Sequence, residues 1–120
     1  MESLDTLAAR AQTLLDRLDT LLPQAAPTDW DAAIAFRWRR RVTAFGVAGW
    51  LQPVRMLSPI RLSDLKHVDE QKQTVEQNTR QFVAGLPANN VLLTGSRGTG
   101  KSSLIKACLN EYAAQGLRLI

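Results

Sequence analysis

The residues able to do chemistry stand together. Gly95-Ser96-Arg97-Gly98-Thr99-Gly100-Lys101-Ser102 fits G-x-x-x-x-G-K-[ST] at every position. Glycines let the backbone take dihedrals that a Cβ disfavours and let it approach an anion closely. Successive N–H groups can then turn inward around a phosphate. A helix starting at the end of the loop adds its own unpaired N–H groups and its dipole. Lys101 carries a mobile positive charge toward the β- and γ-phosphates of a nucleotide, and the Ser102 hydroxyl can ligate Mg²⁺. The candidate nucleotide-binding set is Gly95, Ser96, Arg97, Gly98, Thr99, Gly100, Lys101, Ser102 and Ser103. Lys101 is its catalytic member and Ser102 its metal ligand. Arg97 stands at the loop tip, where a solvated side chain is the simpler reading, and Ser103 is a helical neighbour of Ser102.

At ordinary residue frequencies the pattern arises roughly once in 25,000 positions. Chance is therefore a poor account of it in a chain of 120 residues. The flanks also fit. The Val91-Leu92-Leu93 run suits a short buried parallel strand over Asn90 to Thr94. From about Gly100 to Ala114, Leu104, Ile105, Cys108, Leu109 and Tyr112 share one helical face, and Gly116 stands where a helix-terminating glycine belongs. Cys108 on that face is a buried structural thiol. Leu117–Ile120 reads as the start of a second strand.

Upstream, Ser3 to Leu22 reads as a helix. Leu4, Leu7, Ala11, Leu14, Leu18 and Leu21 alternate steps of three and four, Ser3 is the N-cap and Pro23 the stop. The repeat covers fewer than three heptads, so packing on its own domain is favoured over a coiled-coil dimer. A second helix is predicted from near Thr28. Trp30, Ile34, Trp38, Val42 and Phe45 would line its apolar side, and Arg37, Arg39, Arg40 and Arg41 the opposite one. A third runs from about Asp69, as cap, to Ala84, with Glu76 and Arg80 paired one turn apart and Gly85 then Pro87 as the stop.

Composition bounds the class. Hydrophobic residues make up 45% and charged ones 22%, an ordinary soluble balance that implies one small domain. No apolar run is long enough to span a bilayer, and the N-terminus lacks the pattern of a secretory signal. The single cysteine cannot form an internal disulfide, which fits a cytoplasmic setting. The net charge of +4 is spread over both halves and does not by itself demand a polyanionic partner. The Arg37–Arg41 cluster with Trp38 could dock nucleic acid through phosphates and a stacked base. The helical spacing instead assigns Trp38 to the core and the arginines to a solvated side.

From Ile60 onward, IRLSDLKHVDEQKQTVEQNTRQFVAGLPANNVLLTGSRGTGKSSLIKACLNEYAAQGLRLI resembles the start of an AAA+ ATPase module. An acidic SDL turn and a DEQK-type helix precede the strand and the loop. AIAFRWRR, PANNVLLTG and RGTGKSSLIKACLNEYAAQGLRLI resemble, more narrowly, a bacterial family of predicted AAA+ ATPases known as domain of unknown function 815. The likeness covers roughly Ala32 to Ile120. It implies a P-loop NTPase fold of three α/β layers with a parallel sheet, and Mg-ATP as ligand. By the same analogy Leu65 to Val68 would lie near the adenine. AAA+ proteins often have a glycine where this chain has Lys66–His67.

The resemblance also implies parts that come after the second strand in AAA+ order: a Walker B acid, a sensor, an arginine from a neighbouring subunit and a helical lid. Glu111 is the only acid after Lys101. The expectation is an N-terminal piece of a longer protein, with a small helical region at residues 1–59 and an incomplete ATPase domain at 60–120. Two strands alone would not make a stable layer. The intact protein would hydrolyse ATP, as a homo-oligomer, to remodel a protein partner whose identity the residues do not give. This piece alone would show little turnover. The alternatives are a non-catalytic nucleotide- or nucleic-acid-binding module using Arg37–Arg41, and a P-loop kinase or GTPase.

Overall fold

The computed structural model describes residues 3–24 and 26–120. The chain is mixed α/β. Its elements in order are helix α1 (Leu4–Leu21), strands β1 (Phe36–Thr43) and β2 (Gly46–Pro53), a 3-10 turn at Leu62–Asp64, helix α2 (Asp69–Val83), helix α3 (Lys101–Tyr112) and a 3-10 turn at Ala113–Gln115. They fall into two compact units. One takes residues up to Thr28 together with Trp38–Gln52, and the other takes Asp29–Arg37 with Pro53–Ile120.

In the first unit, α1 starts as its sequence requires. The Ser3 hydroxyl accepts from the Thr6 N–H at 3.2 Å, and Asp5 sits in the first turn. Its leucine face, however, is uncovered. No residue of α1 is buried, and Leu4 is 83% exposed. The expected packing of this helix on its own domain is therefore not found among the described residues.

The predicted second helix is a β-hairpin. β1 and β2 form a two-stranded sheet joined by Ala44–Phe45. The Thr43 hydroxyl donates to the Gly46 carbonyl at 2.9 Å and accepts from the Phe45 N–H at 3.3 Å. Gly46 takes φ +138°, a left-handed value at which glycine is unstrained. A two-residue link sets Thr43 opposite Gly46. The Val54 N–H donates to the Ala35 carbonyl at 2.9 Å, which carries the same register past both strand ends. The mistaken helix has a plain cause. Trp30, Ile34, Trp38 and Val42 recur every four residues, and four is also a multiple of the strand period of two. Aromatic and β-branched residues then favour the strand. Trp38, assigned to the core, is 59% exposed on the hairpin.

The second unit holds the buried core. Leu62, Leu65, Leu104, Ala107 and Cys108 pack together, with Ile60, Val68, Val75 and Leu93 against them. α3 supplies most of it, burying Leu104, Ala107, Cys108, Leu109 and Tyr112. Ile105, expected on the same face, stays exposed. Burial also pushes the Cys108 thiol above its ordinary pKa.

Polar side chains fasten the irregular segments. Lys72 of α2 donates to the Leu62 and Leu65 carbonyls at 3.1 and 3.3 Å. Asn110 of α3 donates to the Ser58 and Ile60 carbonyls at 2.9 and 2.8 Å. The Tyr112 hydroxyl donates to Glu76 at 3.0 Å, and Glu76 also meets Arg80 at 3.3 Å, the expected pair one turn apart. Val68, not Asp69, is the α2 N-cap, with its carbonyl taking the Lys72 N–H at 2.8 Å.

Two strand expectations change. Asn90–Thr94 forms no ladder, and Leu92 is 86% exposed. A strand needs a neighbour for its backbone groups, and none lies beside this segment among the described residues. Leu117–Ile120 does find one, through a parallel bridge between Leu119 and Ala35. The Phe36 N–H donates to the Leu119 carbonyl at 2.8 Å, and the Leu119 N–H to Ile34 at 3.1 Å. Arg118 reinforces that union, donating to the Trp30 carbonyl at 2.7 Å.

His67 has φ +62°, the one non-glycine residue at positive φ among those described. A side chain with a Cβ pays about 1–2 kcal/mol in that region. His67→Gly is expected to be neutral or stabilising by up to about 1 kcal/mol, and His67→Val to destabilise by about 1–2 kcal/mol. Urea midpoints of the two variants check this; equal losses for both would rule out backbone strain at 67. Cys108 gives a second expectation. Its thiol should resist alkylation at neutral pH in the folded chain and react quickly once the chain is unfolded in urea.

Candidate phosphate-binding site

The glycine loop lies where the sequence placed it, at the start of α3. Gly95, Gly98 and Gly100 have φ of +143°, +83° and +93°. Gly100 is the N-cap of α3, with ψ 9°. A Cβ added at Gly98 or Gly100 would meet nothing within 4 Å, so conformation rather than space demands glycine there. At Gly95 space is short as well, because a Cβ would stand 3.3 Å from the Thr99 hydroxyl.

Lys101 folds back over the loop. Its ammonium donates to the Gly95 carbonyl at 2.6 Å, to the Ser96 carbonyl at 2.7 Å and to the Thr99 hydroxyl at 3.3 Å. Those contacts engage all three of its donors. Thr99 in turn donates to the Ser96 carbonyl at 2.7 Å. The positive charge therefore sits against the curled backbone at the head of α3.

A cleft of about 520 Å³ opens over this arrangement, lined by Gly95, Arg97, Gly98, Gly100, Lys101, Ser102 and Ser103. Seven of the nine candidate residues line it, and Ser96 and Thr99 reach it through Lys101. Arg97 is exposed at the loop tip, Ser102 is exposed in the first turn of α3 and Ser103 is half-buried beside it. No carboxylate lines the cleft, which leaves its field positive. A smaller cavity of about 180 Å³ lies next to it, formed by Val68, Gln71, Leu93, Thr94, Thr99, Gly100, Lys101 and Leu104. Of the Leu65–Val68 segment, Val68 is the residue that lines this cavity beside the loop.

Two supports were not legible in the sequence. The Asn78 side chain clamps Asn89, donating to its carbonyl at 2.7 Å and accepting its N–H at 2.8 Å. This fixes the chain just before the run that leads into the loop. Leu93 packs on the α3 core and anchors that run from the other end. Nothing distinguishes Asn78 from other polar residues of α2 in the sequence, because its partner is a backbone group eleven positions away.

The protein is thus a mixed α/β chain whose glycine loop opens directly into its best-buried helix. A family model matches residues 31–120, and the chain belongs to the family described as Protein of unknown function (DUF815). The resemblance noted from AIAFRWRR, PANNVLLTG and the loop sequence is borne out by that match. No curated protein and no solved structure matches the chain.

Gly100→Ala should destabilise the chain by about 1–2 kcal/mol through backbone strain alone, since the methyl meets open space. A urea midpoint unchanged by the substitution would show that φ at 100 is free to relax.

Proposed function

We propose that Gly95–Ser102 is the nucleotide-binding loop of an AAA+-type P-loop ATPase. The observation that carries this reading is the seating of Lys101. Its ammonium lies against the loop carbonyls at the start of a 12-residue helix, between three glycines at positive φ. An anion with several oxygens suits that place: the curled backbone turns N–H groups inward and the helix dipole adds to them.

In this reading backbone N–H groups from Gly98 to Ser102 would hold the β-phosphate. Lys101 exchanges its carbonyl contacts for the β- and γ-phosphate oxygens, a gain because hydrogen bonds between charged partners are the stronger kind. Ser102 is positioned in the first turn of α3 to hold Mg²⁺. Bound there, the ion would supply positive charge to offset that of the phosphates. The residues fit the group: the cleft is open, rich in donors and free of carboxylates. For the same reason binding and hydrolysis separate. An acid that orients the metal and the attacking water must come from outside the cleft lining, and the AAA+ resemblance assigns that role to a Walker B strand.

Residues 60–120 are then the beginning of an ATPase domain of three α/β layers, and residues 1–59 a region for docking. The intact protein works in the cytoplasm as a homo-oligomer that remodels a protein partner. The small cavity beside Val68 and Gln71 is the place in this chain nearest the loop for a base.

Binding is tested first. Mg-ATP should raise the melting temperature of the chain; at 100-fold over Kd the expected stabilisation is about 2.7 kcal/mol. Lys101→Ala should weaken ATP binding by at least tenfold, measured by calorimetry, with the fold unchanged by circular dichroism. An unchanged Kd in that variant removes the assignment of Lys101. Preference for GTP over ATP would move the reading to another P-loop class.

A further inference from the structure

Between Asp31 and Asp64 the chain carries six arginines and no carboxylate. All the basic residues in that stretch are arginines, the side chain whose planar fork matches phosphate oxygens. Four of them lie on β1, as Arg37, Arg39, Arg40 and Arg41.

The hairpin register sorts these residues by face. Arg39 donates through Nε to Gln52 Oε1 at 2.7 Å, so the two share a side. Trp38 shares the other side with Gly49, where an added Cβ would collide with the indole. With Thr43 opposite Gly46, Arg39 stands opposite Trp50 and Arg41 opposite Ala48, all on the Gln52 side. Arg39 and Arg41 are then about 6.8 Å apart along the strand. Both are exposed, and Trp50 is 37% exposed between them and Gln52. The Gln52 contact holds the Arg39 guanidinium by its inner nitrogen and does not use its terminal N–H groups.

We infer that this face of the hairpin docks single-stranded nucleic acid, with Arg39 and Arg41 on successive phosphates and a base stacked on Trp50. The spacing is that of neighbouring phosphates along an unstacked strand. No carboxylate of the hairpin competes for the guanidinium groups. A base stacks on an indole only when it is free of its own duplex, which selects single strands. The exposed apolar residues Val42 and Val47 belong to the opposite, Trp38 side. Arg40 stands with them, but Arg37, Arg39 and Arg41 share the Gln52 side, away from that apolar pair, whereas insertion into an anionic lipid surface needs charge and apolar area to engage at one depth.

The test uses the 120-residue chain and a fluorescent 20-nucleotide oligothymidylate, followed by anisotropy at several salt concentrations. Two phosphate contacts predict a log–log salt slope of at least about −1.4 in size. Arg39→Gln with Arg41→Gln should weaken binding at least tenfold and flatten the slope. Trp50→Ala should weaken binding several-fold, while Trp50→Phe keeps most of it. Lys101→Ala should leave it unchanged, which separates this face from the phosphate loop and makes the two proposals fail independently. Absent binding, binding indifferent to the arginine pair, tighter binding to a duplex of the same length, or equal capture by anionic phosphatidylserine vesicles would each overturn the inference.

Discussion

Burial of one face of α3 is the constraint on which the candidate site rests. The helix hides Leu104, Ala107, Cys108, Leu109 and Tyr112, and a fully buried leucine contributes about 1.5–3 kcal/mol. That anchorage fixes where the first turn of α3 begins, and so where Gly100, Lys101 and Ser102 stand. The loop before it has little packing of its own, being exposed from Thr94 to Thr99. Its shape is set instead by three positive-φ glycines and by Lys101 drawing two carbonyls together. A rigid helix therefore carries a loop held by polar contacts, and an incoming anion can replace such contacts without disturbing the core.

The same physics explains what the sequence disclosed. The glycine loop was legible because its pattern encodes backbone conformation directly: each glycine marks a dihedral that other residues avoid. α1 was legible because its steps of three and four after the Ser3 cap fit no other period, and α2 because Glu76 and Arg80 pair one turn apart and Gly85 then Pro87 stop it. The hairpin was misread because steps of four suit a helix and a strand alike. The odd positions held the deciding signal. Arg37, Arg39, Arg41 and Thr43 alternate with Phe36, Trp38 and Val42, broken by Arg40, and Gly46 follows a two-residue link.

Asn90–Thr94 fails differently. Its residues are those of a buried strand, yet a strand is a relation between two segments and local sequence states only one side of it. The segment is placed by Asn78 at one end and by Leu93 at the other, with Val91 and Leu92 left outward. A cleft of about 530 Å³ runs along it to Leu117–Leu119, lined also by Val75, Phe82 and Ile105. Val91 and Leu92 therefore stay outward although their types suit burial, whereas Leu93 and the apolar residues of α3 apart from Ile105 are covered.

His67 joins the two kinds of reading. AAA+ proteins often have a glycine where this chain has Lys66–His67, a departure from the pattern on which the adenine assignment of the segment rests. The backbone there keeps the conformation a glycine would take, with φ +62°. The chain turns here at a residue that carries a side chain. The turn is needed because Leu65 and Val68 both pack on α3, from either side of it. Lys72 fastens the near side through the Leu65 carbonyl while Val68 caps α2 on the far side. With both ends tied, the two residues between must reverse the chain, whatever their side chains. Backbone geometry at this turn is thus set by packing on α3, and a sequence reading that finds turns from glycines alone will miss one made by a residue with a side chain.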